Sequence, residues 1–158
     1  MKLDAAVAAH RTATKNVPSD VRIGSPAVNN GVIPNENGDT MGITYLQKFM
    51  AACTGCRVDF MVAHWYGETV ADFKAYINAF HAAFPEKKVW VTEFALQAGS
   101  KGDPSKFLRD AMQWLDDPKQ DWIERYAYQM AAPDVEGLHY LVKADMSGLT
   151  ALGKTYVS

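Results

Sequence analysis

Lys88-Val89-Trp90-Val91-Thr92-Glu93-Phe94-Ala95-Leu96 is a short run of β-branched and aromatic residues carrying one acid near its end. Such a run is too short and too apolar for an amphipathic surface helix, and it reads as a strand buried on both faces. A second run of the same kind, Val58 to Tyr66, precedes it and is polar only at Asp59 and His64. Between them, Thr69-x-x-Asp72 forms a capping-box pattern ahead of Val70, Phe73, Ile77 and Phe80 at helical spacing. Strand, helix, strand is therefore the local unit.

The unit repeats in both directions. Downstream, Asp103-Pro104 pairs an N-cap with a proline suited to the first helical position. Phe107, Leu108, Ala111, Trp114 and Leu115 follow as one apolar face. Trp122 to Met130 reads as a further strand and Gly137 to Val142 as a short last one. Upstream, the Ala-rich stretch Leu3 to Ala13 reads as a helix and Pro18-Ser19-Asp20 as a turn. Val21 to Gly24 is a short strand stopped by Ser25-Pro26. Residues 29–39 form a turn-rich loop, and Ile43, Leu46, Phe49 and Met50 mark one more helix. Alternating helices and strands predict an α/β fold with a parallel sheet and right-handed crossovers. Strand centres Ile23, Phe60, Val91 and Tyr126 recur roughly every 31 to 37 residues. A complete eight-unit barrel at that spacing needs about 250 residues. Residues 1–158 thus read as a single unit with room for about half of a (β/α)8 TIM-type barrel.

Composition limits the function classes. Of 158 residues, 48% are hydrophobic and 22% charged, with 16 Lys and Arg against 18 Asp and Glu. A net charge of -2 without a basic block argues against nucleic acid or an anionic membrane as partner. No apolar run nears the roughly 20 residues of a membrane span. Met1-Lys2-Leu3-Asp4-Ala5 sets an acid where a signal peptide needs its apolar stretch, so the sequence as written reads without an export signal. Cys53 and Cys56 form one Cys-x-x-Cys between a helix and a strand, the reverse of a thioredoxin-type order. Zinc would need further ligands. A local disulfide or a buried thiol pair is favoured over redox catalysis.

In barrels of this kind chemistry gathers at the C-terminal strand ends. Asp59 and Glu124 lie at strand starts and are read as structural. Ser25 and Asn29 lie at the end of the first strand, and His64, Trp65, Tyr66 and Glu68 at the end of the second. Thr92 and Glu93 close the third, and Tyr128 and Gln129 the fourth. Glu93, held between Val91 and Phe94, is the sharpest candidate, because a charge among apolar neighbours is costly unless paired or functional. The bland alternatives are a strand-end glutamate satisfied by its surroundings and a core histidine at 64. Aromatic platforms beside a carboxylate suit a sugar ring.

Several stretches together resemble glycoside hydrolase family 128, the alkali-sensitive linkage protein type. They are Gly24-Ser25-Pro26-Ala27, Cys53-Thr54-Gly55-Cys56, Val58-Asp59-Phe60, His64-Trp65-Tyr66, Trp90-Val91-Thr92-Glu93-Phe94, Glu124-Arg125-Tyr126-Ala127 and Leu149-Thr150-Ala151-Leu152-Gly153. The resemblance implies a TIM-type barrel that cleaves β-1,3-glucan with retention of configuration, often in a secreted or cell-wall setting. Glu93 would be the nucleophile. His64 and Tyr66 would line the sugar subsite and orient it, and Trp65 and Tyr128 would face the sugar. No metal or organic cofactor is implied. The family's acid/base glutamate sits in an Asn-Glu-Pro type motif after the fourth barrel strand, and that motif is absent here. Asn35-Glu36 is followed by Asn37 and does not match it. By this alignment the chain carries strands five to eight. It would pair with a missing N-terminal half or a second copy, or else be a non-catalytic glucan-binding remnant or truncated product.

Overall fold

A computed structural model describes residues 2–34, 38–134 and 139–158. Three strands, β1 (Met61–Gly67), β2 (Val89–Leu96) and β3 (Ile123–Tyr126), form a parallel sheet in that order. Helices α1 (Leu3–Thr14) and α2 (Gly42–Ala52) precede it, and α3 (Val70–Ala83) and α4 (Pro104–Leu115) make the crossovers. A two-stranded ribbon of β4 (Pro133–Asp134) and β5 (Val142–Lys143) and the terminal helix α5 (Ala151–Tyr156) close the chain.

The helices begin where the sequence supplies caps. Thr69 Oγ1 accepts from the Asp72 N–H at 3.1 Å, and Asp103 Oδ1 accepts from the N–H groups of Ser105 and Lys106. Their apolar faces then meet one side of the sheet. Phe73, Ile77 and Phe80 of α3 and Phe107, Leu108, Ala111 and Leu115 of α4 are buried against Met61, Ala63, Val89, Val91 and Phe94. Each such side chain withdrawn from water contributes about 1.5–3 kcal/mol before the ordering cost is subtracted. Cys53 ends α2 and forms a disulfide with Cys56, which settles the two readings of that motif in favour of the local bridge.

Three strand expectations are corrected. Val21 to Gly24 is not a strand. The chain from Ile23 to Val28 runs beside Phe60 and β1 by scattered backbone bonds, with isolated parallel bridges at Gly24–Phe60 and Val28–Ala63 and no continuous ladder. The Ile23 N–H is taken by the Asp59 carboxylate at 2.7 Å instead of a carbonyl, and Pro26 has no N–H to give. Trp122 to Met130 is shortened to β3, and within β3 the pairing slips by one residue between Val89 and Trp90 of β2. Two later bonds, Ala127 N–H to Val91 O and Gln129 N–H to Phe94 O, keep the chain alongside β2. Of the expected strand Gly137 to Val142, residues 137 and 138 lie outside the described residues, and pairing occurs at Val142–Lys143.

Strand alternation sends even-numbered residues of β1 to the face opposite α3 and α4. There Phe60 stacks on Trp90 at 3.9 Å, with Arg22 over Phe60 and Arg125 over Trp90. Glu124 binds Arg22 at 2.6 Å and accepts from Trp90 Nε1 at 2.7 Å. Asp59 and Glu124 thus hold the N-terminal end of the sheet together, as their places at strand starts suggest.

Candidate active site

His64 and Tyr66 occupy the same face of β1, two residues apart, toward its C-terminal end. On β2 the register jumps: Ala63 opposes Val91, but His64 opposes Glu93. Thr92 is therefore the extra residue of a β-bulge, the device that re-aims side chains next to functional sites. Because of it, two consecutive residues of β2 both reach His64. His64 Nε2 lies 2.9 Å from Thr92 Oγ1, and His64 Nδ1 lies 3.2 Å from Glu93 Oε2. The Tyr66 hydroxyl donates to the same Oε2 at 2.7 Å.

Tyr66 is itself held from outside the sheet. Asn30 Nδ2 donates to the Tyr66 carbonyl at 2.9 Å, and the Tyr66 N–H donates to Asn30 Oδ1 at 3.1 Å. One side chain thereby imitates a neighbouring strand where the backbone ladder has ended. The Asn29 carbonyl accepts from the Tyr76 hydroxyl of α3, which ties the same loop to the helix layer. Sequence reasoning missed Asn30, since an Asn-Asn-Gly run reads as a turn.

The electrostatics follow from partial burial. The side chains of His64 and Glu93 are 22% and 35% exposed, so the carboxylate is reachable from solvent while its partners are largely covered. Burial lowers the His64 pKa below the ordinary imidazole value, and the Glu93 charge offsets only part of that. Burial and the bond to Glu93 push the Tyr66 phenol well above its usual range, with a smaller push from Tyr140. Tyr66 is accordingly a proton donor that stays protonated at any working pH. A half-exposed carboxylate gripped on one oxygen by a neutral phenol and an imidazole is suited to nucleophilic or ion-stabilising chemistry.

Two of the expected sugar-facing aromatics are corrected. Trp65 is 1% exposed and lies on the helix side of β1, stacked on Phe107 at 5.6 Å and edge-on to Phe73 at 5.3 Å. Its odd position in the strand puts it there. Gly67 permits the fold of the indole, since a Cβ at 67 would come within 2.3 Å of it. Tyr128 is 5% exposed, packed between Phe94 and Tyr156. Neither ring presents an open face. Glu68 accepts from Gln97 Nε2 at 3.0 Å and lines a small cavity with Leu96, Lys106, Phe107 and Asp110, which groups it with the helix layer and not with His64 and Tyr66. Asn35 and Glu36 lie outside the described residues. Among the described residues, no group of three or more His, Cys, Asp or Glu could hold a metal ion, and no helix is long and apolar enough to cross a membrane.

Known proteins resemble this chain along most of its length. A family model described as the glycosyl hydrolase catalytic core matches residues 1–156. Alkali-sensitive linkage protein 1 of Schizosaccharomyces pombe is 28% identical over 146 residues, which is 86% of this chain and 25% of that protein. A GH128 subgroup IV endo-β-1,3-glucanase from Lentinula edodes superposes with a TM-score of 0.83 at 24% identity, over 98% of this chain and 63% of that one. A subgroup II endo-β-1,3-glucanase from Sorangium cellulosum gives 0.71 at 25% identity, over 96% and 75%. A subgroup VI exo-β-1,3-glucanase from Aureobasidium namibiae gives 0.66 at 24%, over 98% and 58%. The chain thus spans a quarter of the S. pombe protein and less than two thirds of the L. edodes enzyme.

Proposed function

The chain belongs to the glycosyl hydrolase catalytic core family, and from that premise we propose that it is the nucleophile-bearing half of a retaining β-1,3-glucanase. The observation that carries the reading is the grip of Tyr66 and His64 on one oxygen of Glu93. The Tyr66 bond and the His64 contact both fall on Oε2, so Oε1 is the oxygen set for attack. In the reaction a Glu93 oxygen attacks the anomeric carbon from the face opposite the leaving oxygen. The glycosidic C–O bond breaks, the leaving oxygen takes a proton from a second carboxyl group, and a covalent glycosyl ester forms. Water, deprotonated by the same second carboxylate, then attacks the anomeric carbon and frees Glu93. Two inversions leave the configuration retained. His64 and Tyr66 orient Glu93 and line the sugar subsite.

The second carboxyl belongs about 5–5.5 Å from the nucleophile in such enzymes. Glu68 is engaged elsewhere. We therefore assign the acid/base to barrel strands outside the described residues, in a longer protein or in an associating chain. On this reading the segment 23–28 with β1, β2 and β3 makes the C-terminal half of a TIM-type barrel. The substrate is a β-1,3-linked glucan, in line with the activities of the structural neighbours.

The test separates the nucleophile from the missing acid. A 2-deoxy-2-fluoro-β-glucosyl donor with a dinitrophenolate leaving group needs no proton donor. The 158-residue chain should acquire one glycosyl mass increment on the peptide containing Glu93, and Glu93→Gln should acquire none. Hydrolysis of unactivated β-1,3-glucan should be slower than in a complete barrel by the 10²–10⁴ that general acid help typically supplies. A folded chain that binds glucan but never forms the adduct would overturn the assignment in favour of a glucan-binding remnant.

A further inference from the structure

We propose that Thr92 is a positioning residue whose hydroxyl proton donates to His64 Nε2 and so fixes the imidazole with its own proton on Nδ1, facing Glu93. This deepens the reading of Glu93 as nucleophile and rests on it for its catalytic meaning. The argument starts at Oε2 of Glu93, which lies 3.2 Å from His64 Nδ1. An Nδ1 lone pair facing a carboxylate oxygen at that distance would be repelled, so Nδ1 carries a proton. Burial disfavours the doubly protonated imidazolium. Nε2 therefore holds a lone pair, and the atom 2.9 Å from it is Thr92 Oγ1. A hydroxyl rotates to suit its neighbour and here points its proton at Nε2. The chain of donors runs Thr92 O–H to Nε2, then Nδ1–H to Oε2, with Tyr66 O–H arriving at the same Oε2.

The backbone is arranged for this contact. In an unbroken ladder Thr92 and Glu93 would point to opposite faces of the sheet. The bulge between Val91 and Glu93 brings both beside His64. A histidine side chain in water favours the proton on Nε2, so the Nδ1–H form is imposed by the protein. A ring held at one nitrogen only could turn over and lose the carboxylate. Held at both, it keeps Oε2 occupied and leaves Oε1 directed at the substrate side. The tautomer of a functional histidine is commonly set in this way by the bond its other nitrogen makes.

Long-range 1H–15N correlation spectra of the 15N-labelled 158-residue chain, taken above the histidine titration, read the tautomer directly. The His64 signal is identified by its loss in His64→Asn. The unsubstituted chain should show His64 as Nδ1–H, and Thr92→Ser should keep it. Thr92→Val should shift the ring several-fold toward the Nε2–H form and slow adduct formation on Glu93 about tenfold, with Thr92→Ser restoring the rate. His64 found as Nε2–H in the unsubstituted chain, or an unchanged Nδ1–H signal in Thr92→Val, overturns the proposal. Should Thr92→Val not fold, the unsubstituted chain and Thr92→Ser still decide the matter. The spectra need no turnover, so a chain with the Nδ1–H form but no glycosyl adduct would sink the nucleophile reading and leave the hydrogen-bond assignment standing.

Discussion

Ser25→Ala removes a single oxygen atom and should destabilise the chain by about 2 kcal/mol, within the 1–3 kcal/mol that an orphaned buried polar group costs. Ser25 is 7% exposed, the one polar residue in the described core. Its Oγ accepts from the buried Val62 N–H at 3.0 Å and donates to the Pro26 carbonyl at 3.0 Å. Around it the segment 23–28 follows β1 by backbone bonds: Ser25 N–H to Phe60 O, Val28 N–H to Val62 O and His64 N–H to Val28 O. The Val62 N–H is met by a side chain within that series. Alanine offers it nothing, and water cannot reach it without opening the edge. For a chain of this size each kcal/mol moves Tm by roughly 2–4 °C, so Tm should fall by about 4–8 °C. Urea unfolding should give a lower midpoint at unchanged m-value, and the Val62 amide should exchange with solvent faster than those of Ala63 and Val91. A loss below about 0.5 kcal/mol with unchanged Val62 exchange would refute the claim that Ser25 stands in for a strand bond. Because Val62 lies two residues before His64 on the same face, the effect should also appear as a shifted His64 resonance.

Three further perturbations follow from the same geometry. Trp65→Ala should cost about 3–5 kcal/mol by emptying the space between Phe73 and Phe107, measured by urea unfolding, whereas a mere sugar platform would lose glucan affinity with stability intact. Tyr66→Phe deletes one charge-assisted bond to Oε2, should cost up to about 1.5–3 kcal/mol in urea unfolding, and should slow glycosylation of Glu93 roughly tenfold to hundredfold. Acid should destabilise the fold in two steps. His64 is depressed by burial, so the unfolded chain binds its proton first and stability falls as pH drops below about 6.5. Asp59, depressed by the Ile23 N–H, and Glu124, depressed by Arg22, lose their contribution below about pH 4, and urea midpoints from pH 8 to 3 should show both declines and no rise.

How far the sequence could be read depended on whether a position follows the simple periods. Phe73, Ile77 and Phe80, or Phe107, Leu108, Ala111 and Leu115, repeat with the helical turn, and the structure buries them as the spacing predicts. Thr69 and Asp103 cap their helices because their side chains are the right length to reach an N–H two or three residues on. The parallel order of the sheet followed from the alternation of elements alone. Trp65 and Tyr128 failed the platform reading for a reason of the same simplicity. A strand shows alternate residues to alternate faces, so if His64 and Tyr66 face the site, Trp65 must face the helices. What no period predicts is pairing by side chains. Asp59 capturing the Ile23 N–H, Ser25 capturing Val62 and Asn30 clasping Tyr66 each replace a backbone partner, and each blurs a strand boundary.

The bulge at Thr92 is the clearest case of that limit, and it lies in the candidate site. Strict alternation along β2 would place Thr92 and Glu93 on opposite faces, one toward the site and one toward α3 and α4. A carboxylate on the helix side would take the place of Phe94 beside Phe73 and Phe107, where an ion has no partner and costs several kcal/mol. The chain avoids that by spending one residue of register between Ala63 and His64. The slip leaves Phe94 on the apolar side and brings Glu93 round to Tyr66 and His64. An acid flanked by Val91 and Phe94 in a strand is therefore a sign of a broken ladder as much as of a functional group, since only an irregular strand can satisfy both neighbours. The same irregularity delivers Thr92 to the far nitrogen of His64, so that one displaced residue places two neighbours of the strand against the same imidazole.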